Sequence, residues 1–417
     1  MVDIKGLIAR NRAGERVGLP SFCTANAHVL RAILANTART GWPTVIEATC
    51  NQVNQDGGYT GMTAADFMAF LTRLAAEEGA PLDRIVVGGD HLGPNPWRTA
   101  PADEAMAKAG ELVRQYAAAG FTKIHLDASM ALGGEAPPSF ATIAARAATL
   151  AAIAEASAPD PDALVYVIGT EVPIPGGETE EVDALDVTSV DRFADTIATH
   201  REAFCARRLD AAFGRVVSIV TQPGVDFSHT SVYAFDPQPA APLRRAIAAQ
   251  DGLTFEAHST DYQPDAALRG LVDHHFVFLK VGPELTFRLR EAIFALADIE
   301  DVIAPAAPSH LRETVAAAMA ERPADWAAYY KGAPAEVERL KLYSYSDRIR
   351  YYWSVPQVAS ALDRLMANLG AHAPSANIVS RFFNSHEFGA IPSAPATLLA
   401  EHVRRCIRRY YAACGFR

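Results

Sequence analysis

The sequence lacks a long uncharged apolar segment and lacks the common nucleotide-binding motifs. No run of about 18 apolar residues is free of charge, so no transmembrane helix is predicted. Residues 1–18 include Asp3 and contain no apolar segment of signal-peptide length. No GxGxxG follows the first predicted strand and no GxxxxGK[ST] occurs, so neither a dinucleotide fingerprint nor a P-loop is present.

The chain also lacks a basic surplus and paired cysteines. Lys and Arg number 38 against 48 Asp and Glu, giving a formal charge of −10, which argues against nucleic acid as the main partner. The cysteines form no CxxC pair, which is typical of a reducing cytosol and argues against a cysteine zinc site. These are Cys23, Cys50, Cys205, Cys406 and Cys414. We therefore expect a cytoplasmic protein without nucleic-acid or membrane partners.

Apolar, strand-like runs alternate with Ala-rich helical runs through the first 300 residues. Half of the 417 residues are hydrophobic, enough for a large core. Each of eight runs is apolar and then ends in polar residues or glycine, as buried parallel strands do. The runs cover 17–26, 43–52, 84–93, 122–130, 163–173, 216–224, 253–260 and 275–283. This pattern predicts a (β/α)₈ TIM barrel.

A doubly wound open sheet is the alternative, because it alternates in the same way. The barrel is favoured because polar residues end almost every strand, whereas an open sheet concentrates its site at one switch point. After residue 284 the strand pattern stops; residues 284–298 are predicted to form the last barrel helix, and further helical runs follow. We predict a barrel over 1–299 and a C-terminal helical extension over 300–417 that packs on it, with a separate domain on a linker as the alternative.

Polar side chains at the carboxyl ends of barrel strands line one shared mouth. Three histidines there, following the third, sixth and seventh predicted strands, suit a divalent metal, most simply Zn²⁺. They are His91, His229 and His258. Four further side chains at the strand ends are predicted to contact substrate. They are Asn26, Gln52, Asp127 and Ser129.

The sequence offers Glu171 as a second acidic group and Lys280 as a cation in this mouth. Glu171 precedes a Pro/Gly-rich loop, where it could ligate the metal in place of His229 or act as a base. Lys280 ends the last strand, where barrels often bind phosphate; a Schiff-base role is the alternative. Three other histidines are assigned no chemistry, because they lie mid-strand or at the opposite barrel face: His125, His274 and His275.

The extension contains KLYSYSDRIRYYW at 341–353, a compact group of serines, arginines and aromatics. Ser346, Arg348 and Arg350 could hold a phosphate dianion, because guanidinium groups fork onto its oxygens. The alternative is an amphipathic helix with a charged face.

Seven motifs together resemble one known family across essentially the whole chain. They are GGDHLGPNPW, IHLDAS, GTEVPIPGG, TQPGV, FEAHSTDYQ, FLKVGPELTF and YSYSDRIRYYW. The family is the non-catalytic subunit of class II tagatose-bisphosphate aldolase, which is similar to the zinc-dependent class II ketose-bisphosphate aldolases. The resemblance implies that Asp90 transfers protons and that His91, His229 and His258 bind zinc. The catalytic aldolases carry a glycine-serine phosphate loop where this chain has HSTDYQ, so bisphosphate cleavage is not expected.

Two functions are consistent with this resemblance. Some similar proteins are tagatose 6-phosphate 4-epimerases, which implies a sugar-phosphate substrate and retro-aldol chemistry at Asp90 or Glu171 beside the metal. Alternatively, the chain stabilises a separate aldolase polypeptide. The expected partners are thus a small-molecule sugar phosphate and either further copies of the chain or an aldolase subunit.

Overall fold

Eight parallel strands close into a barrel in the computed structural model, which describes residues 2–172, 185–383 and 394–417. The barrel strands are β1 (Leu19–Cys23), β2 (Thr44–Thr49), β3 (Ile85–Leu92), β4 (Lys123–Leu126), β5 (Val165–Ile168), β6 (Val216–Val220), β9 (Thr254–Ala257) and β10 (Phe276–Val281). The short strands β7 (Asp226–Phe227) and β8 (Val232–Tyr233) pair as a hairpin beyond β6. Each barrel strand follows the last in space, and β10 pairs with β1 to close the ring. The predicted (β/α)₈ barrel with a C-terminal helical extension is confirmed.

Helices cover the outside of the barrel and continue into the extension. Those up to the last barrel strand are α1 (Ile4–Arg12), α2 (Ala27–Thr40), α3 (Ala64–Glu78), α4 (Ala102–Ala118), α5 (Phe140–Ser157), α6 (Val190–Ala206), α7 (Asp210–Phe213), α8 (Pro237–Ala248) and α9 (Asp265–Asp273). The later ones are α10 (Pro283–Ile303), α11 (Leu311–Glu321), α12 (Pro334–Tyr343), α13 (Pro356–Ala371), α14 (Ala376–Phe382) and α15 (Pro395–Ala413). Side-chain caps fix several helix starts, for example the reciprocal capping box of Thr63 and Asp66 on α3.

The barrel interior is layered from apolar to charged. At the amino ends of the strands, valines and Phe278 pack against α1, which covers this face through Ile4, Leu7 and Ile8. Further along the strands, the inward positions become charged, with Glu47 paired to both Lys123 and Lys280. Inward residues recur every second position in a strand, so each strand contributes to successive layers. The charged layer therefore lies directly beneath the barrel mouth.

The extension packs on the barrel and its helices. α15 contacts α2, α9, α10 and β1. Tyr411 of α15 is buried, and its hydroxyl lies 2.6 Å from Thr44 Oγ1 at the start of β2. α10 runs on to Ile303, so a single helix crosses the boundary proposed at residues 299 and 300. The division into these two units stays a prediction.

One described helix, α5, is long and apolar enough to cross a membrane by length and composition, with a mean hydropathy of 1.2. It packs between α4 and α6 in the outer layer of the barrel and carries Arg146 and Glu155. A core helix of a soluble protein passes the same test, so this single helix is only a weak indication of a membrane segment.

Candidate active site

A distortion in β3 brings Asp90 and His91 to the same side of the barrel wall. Consecutive side chains of a regular strand point to opposite faces. Here the pairing of β3 with β4 shifts between Gly89 and Leu92, and His91 has a φ of 48°. A non-glycine residue in that region carries strain of about 1–3 kcal/mol and is typical of functional sites. Both side chains consequently enter the mouth.

Three buried imidazoles form a nearly equilateral triangle at this mouth. The ring centroids of His91, His125 and His258 lie 4.9–5.0 Å from one another. Together with Asp90 they can each offer one ligand atom, with all four atoms within 4.8 Å of each other. This arrangement is the kind of site that holds a divalent metal.

The hydrogen bonds of these imidazoles support ligation. Nδ1 of His91 lies 2.8 Å from Asp127 Oδ2, which leaves its Nε2 for a metal. Nε2 of His125 is buried, and no group of the described residues hydrogen-bonds to it. Nδ1 of the same ring lies 2.9 Å from Asp90 Oδ1. A carboxylate behind a histidine fixes its orientation and raises its basicity, as in known metal sites.

Charges around the triangle set its protonation. Burial and then the nearby Lys280 ammonium lower the pKa of His258 to about 3, so this ring is neutral at pH 7. Burial also disfavours the imidazolium of His91, but Asp90 and Asp127 outweigh it and raise the pKa of His91. Burial opposes ionisation of Asp90, yet His91 and Lys280 hold the pKa of Asp90 well below its usual range.

A buried ion network lies directly beneath the triangle. Lys123 Nζ lies 2.6 Å from an oxygen of Glu47 and 2.6 Å from one of Glu256. Lys280 Nζ lies 2.6 Å from Glu47 and 2.5 Å from Asp90 Oδ1. Burial disfavours the Lys280 ammonium, but these carboxylates, Asp90 most of all, raise its pKa well above the usual value. Lys280 is therefore held as a cation, which is unsuitable for forming a Schiff base.

Close approach requires glycine at two positions around the network. A Cβ on Gly88 would lie 2.8 Å from Glu47 Oε1, and one on Gly93 would lie 1.6 Å from the Asp127 carbonyl oxygen. Both glycines belong to the GGDHLG motif that carries Asp90 and His91. Gly88 thus lets the Glu47 side chain pack against β3, and Gly93 lets the chain that follows β3 approach the Asp127 backbone.

The structure places His229 away from the imidazole triangle. Its Nδ1 lies 3.0 Å from Ser346 Oγ and its Nε2 lies 3.2 Å from the Tyr329 carbonyl oxygen. The β7–β8 hairpin carries His229 outward to the extension. Its closeness to β6 in the sequence therefore did not predict where its ring lies. His125 takes the third corner instead, although the sequence analysis gave it no chemistry.

Glu171 also lies apart from the triangle. One of its carboxylate oxygens pairs with Arg192 of α6, and Glu171 is not among the described residues that line the cavity. The Pro/Gly loop predicted to fix its backbone, from residue 173 to 177, lies outside the described residues.

Two of the four predicted substrate contacts line the cavity, and two support the histidines. Asn26 and Gln52 line it, while the Asn26 side chain caps α2 and Gln52 Oε1 accepts from the Thr49 amide. Asp127 orients His91, as described above. Ser129 Oγ donates to Asp127 Oδ1 at 2.7 Å, so this serine steadies the carboxylate.

One cavity of about 460 Å³ connects the triangle with the extension. Asp90, His91 and His258 lie at one end, and Arg350 and Tyr351 of the extension form another part of its wall. Arg350 Nη1 donates to the carbonyl oxygens of Ser346 and Asp347, and its Nη2 donates to Tyr351 Oη at 2.9 Å. No ion pair of this guanidinium with a carboxylate is found among the described residues. Of the described arginines, Arg350 is thus the one that faces the cavity.

Ser346 and Arg348 have other partners. Ser346 Oγ lies 2.9 Å from Ser344 Oγ as well as near His229. The Arg348 guanidinium stacks 3.4 Å from the centre of the Tyr329 ring and donates to the Asp325 carbonyl oxygen. These contacts join segments of the extension to each other.

Sequence reasoning omitted Glu47, Lys123 and His125 from the site. The twofold alternation of strands could have found them, because Lys123, His125 and Asp127 share one face of β4. Once Asp127 is placed in the mouth, the residues two and four positions earlier must also face the interior. Glu47 is likewise a lone acid within an apolar strand, which calls for a buried partner.

The fold and the site define a (β/α)₈-barrel protein with a buried cluster of histidines and aspartate of the metal-binding type. The family described as D-tagatose-1,6-bisphosphate aldolase subunit GatZ/KbaZ-like matches residues 4–415. The chain belongs to this family, and the resemblance expected from its motifs is confirmed.

Individual relatives cover the chain almost completely. The D-tagatose-1,6-bisphosphate aldolase subunit GatZ of Salmonella dublin is 43% identical over 419 residues, 99% of each chain. The GatZ subunit of Escherichia coli strain HS is 44% identical over 420 residues, covering 99% of this chain and all of that protein. A crystal structure described as a probable tagatose 6 phosphate kinase from Sinorhizobium meliloti 1021 is 45% identical, with a TM-score of 0.88. It covers 95% of this chain and 100% of its own.

Two histidine variants test the ligand set. His125→Ala should weaken Zn²⁺ binding by more than about 100-fold, since losing a ligand exceeds the 10–100-fold cost of losing a group that supports one. His229→Ala is the matched control and should keep wild-type affinity, because its ring contacts the extension. Competition with a chromophoric chelator measures both. Weakened binding in His229→Ala with unchanged binding in His125→Ala would reject this ligand set.

Proposed function

We propose that the chain is a metal-dependent epimerase that inverts C4 of a ketohexose 6-phosphate, converting D-tagatose 6-phosphate to D-fructose 6-phosphate. The observation that carries the proposal is the combination of a metal-type imidazole cluster, an adjacent ionised carboxylate and a separate arginine in one cavity. Tagatose and fructose differ only at C4, so breaking and remaking the C3–C4 bond is sufficient. The free state of the five cysteines supports a cytoplasmic location.

The donor set favours Zn²⁺ as the metal. We assign His91, His125 and His258 as its ligands, because three imidazole ligands with one open position are typical of catalytic zinc. When bound, the metal supplies Lewis-acid stabilisation of the negative charge that develops on the C2 oxygen of the ketose. The protein holds the rings in place through Asp127 behind His91 and Glu256 beside His258, whose Nε2 lies 3.1 Å from Glu256 Oε1.

Asp90 is the group we assign to proton transfer. It accepts the proton of the C4 hydroxyl as the C3–C4 bond breaks, which yields glyceraldehyde 3-phosphate and the enediolate of dihydroxyacetone. The aldehyde turns, C3 attacks its other face, and Asp90 returns the proton to O4. No atom is gained or lost. Lys280 and His125 hold Asp90 at the cavity wall, whereas Glu171, the other carboxylate predicted for this step, pairs with Arg192.

Arg350 is the group we assign to the C6 phosphate. A phosphate must stay anchored while the aldehyde turns, and charge-assisted hydrogen bonds from a guanidinium are strong enough to do so. Tyr59 and Tyr351 flank Arg350, with their ring centroids 4.6 Å apart. Burial raises the pKa of Tyr59 to about 12, so its hydroxyl keeps its proton and can donate it in a hydrogen bond.

The second candidate function is that of an accessory subunit. It is favoured by the names of the Salmonella and Escherichia relatives, which describe them as subunits of a tagatose-bisphosphate aldolase. A purely stabilising subunit has no use for a buried triangle of imidazoles joined to a cavity, and this favours the epimerase.

The isolated, Zn²⁺-loaded chain should convert tagatose 6-phosphate to fructose 6-phosphate. A coupled assay for fructose 6-phosphate measures this conversion. Asp90→Asn should reduce kcat by about 10²–10⁴-fold, the usual contribution of general acid–base catalysis. Asp363→Asn is the control, because Asp363 lines the same cavity but belongs to α13 of the extension and is not part of the imidazole cluster.

The accessory-subunit function would replace the epimerase if the isolated chain shows no turnover at any metal concentration yet raises the activity of an added aldolase. Turnover by Asp90→Asn within a few-fold of wild type would move the proton-transfer role to another group.

Two arginine variants test the phosphate anchor. Arg350→Gln should raise KM for tagatose 6-phosphate by about 10–100-fold, the equivalent of a hydrogen bond to a charged group. It should change KM for unphosphorylated tagatose much less. Arg348→Gln should not alter the ratio of the two KM values, because Arg348 is not among the described residues that line the cavity. The ratio cancels any loss of folded protein, and an unchanged ratio in Arg350→Gln would contradict the assignment.

A further inference from the structure

The amino end of α10 is occupied by a carboxylate from the neighbouring loop. Asp261 Oδ1 accepts hydrogen bonds from the amides of Gly282, at 3.0 Å, and Glu284, at 2.7 Å. Pro283 has no amide hydrogen, and the Leu285 amide donates to the Gly282 carbonyl at 3.0 Å. Within the part of the chain that the structure describes, the first turn of α10 therefore offers no amide to a ligand.

This position is where (β/α)₈ barrels frequently bind a phosphate group. That site is built from the loops after the seventh and eighth strands and a helix amino end. Asp261 follows β9, the seventh barrel strand, and Gly282 follows β10, the eighth. Asp261 also lines the same cavity as His258 and Lys280, and only 2% of it is exposed. The carboxylate thus takes the place of the anion.

The surrounding charge is unfavourable for a second anion. Glu284 is fully buried beside Asp261, and its Oε2 accepts from the Tyr262 amide at 2.7 Å. Burial, reinforced by Glu284, raises the pKa of Asp261 to about 7, which reflects two acids close together in a low-dielectric setting. Arg409 and Arg288 are already paired with the other oxygen of Glu284, each at 3.1 Å. A phosphate entering here would meet two acids and no unoccupied amide.

We propose that Asp261 is a specificity-determining residue that excludes a phosphate group from the α10 end of the cavity. The substrate is then a ketose phosphorylated at one end only. With the C6 phosphate at Arg350, the excluded phosphate is the one on C1, so ketose 1-phosphates and 1,6-bisphosphates are rejected. The assignment of carbon numbers rests on the proposed function, whereas the exclusion of phosphate beside α10 does not.

Binding measured by calorimetry on the metal-loaded chain tests the proposal without requiring turnover. The probes are fructose 6-phosphate, fructose 1-phosphate and inorganic phosphate. Wild type should bind fructose 1-phosphate at least about 10-fold more weakly than fructose 6-phosphate, because no hydrogen-bond donor at α10 is available to the anion. Asp261→Ser should bind fructose 1-phosphate and inorganic phosphate about 10–100-fold more tightly than wild type, with fructose 6-phosphate nearly unchanged.

Two variants separate amide occupancy from charge. Asp261→Asn keeps a side-chain oxygen that can accept the hydrogen bonds of the Gly282 and Glu284 amides. It should therefore gain much less affinity for fructose 1-phosphate than Asp261→Ser. Asp363→Ser removes an acid from the same cavity without freeing these amides and should gain none.

The proposal is overturned if wild type binds both sugar phosphates equally, or if a folded Asp261→Ser gains no affinity for either fructose 1-phosphate or inorganic phosphate. Should Asp261→Ser not fold, the wild-type comparison alone decides. If the chain does not epimerise tagatose 6-phosphate but still binds fructose 1-phosphate more weakly than fructose 6-phosphate, the proposed function is rejected and this inference stands. If the chain epimerises tagatose 6-phosphate but binds both fructose phosphates equally, this inference is rejected and the proposed function stands.

Discussion

The pairing of Lys280 with three acids is the interaction on which the rest of the site depends. Its ammonium lies within 3.3 Å of Glu47, Asp90 and Glu256, inside a barrel where unpaired charge is costly. Removing one partner of a buried ion pair typically costs about 3–5 kcal/mol, so the network holds each member in one place. Asp90 is thereby fixed at the cavity wall and ionised. This charged layer also positions the histidines above it, because Asp90 contacts His125 and Glu256 contacts His258.

Strand alternation explains why the barrel was predictable from sequence and part of the site was not. Eight apolar runs separated by amphipathic helices leave few other ways to bury the strands, and the polar strand ends identify the mouth. The choice among the histidines depends on local geometry that periodicity does not encode. The shifted register at Asp90 and His91 and the hairpin beyond β6 are tertiary features, and the hairpin carries His229 to the extension. His125 was recoverable, since it shares a face with Asp127.

The extension completes the cavity as well as covering the barrel. Its 3-10 helix at Arg348–Tyr352 brings Arg350 to the cavity wall, which no other arginine among the described residues lines. The cavity is consequently asymmetric. One end has histidines and acids, a second wall has a guanidinium and two tyrosines, and the α10 end is closed by Asp261. Such a distribution of charge suits the proposed substrate, an elongated sugar with a single phosphate. It also places one arginine of the KLYSYSDRIRYYW motif, Arg350, in the wall of the same cavity as the histidines.

The most direct test of this account is anomalous diffraction from crystals of the Zn²⁺-loaded chain, with data on both sides of the zinc edge. The account predicts one strong peak inside the triangle, about 2.0–2.1 Å from a ring nitrogen of each of His91, His125 and His258. A zinc peak coordinated by His229 or Glu171, or an imidazole triangle without a peak while zinc occupies another part of the chain, would contradict it.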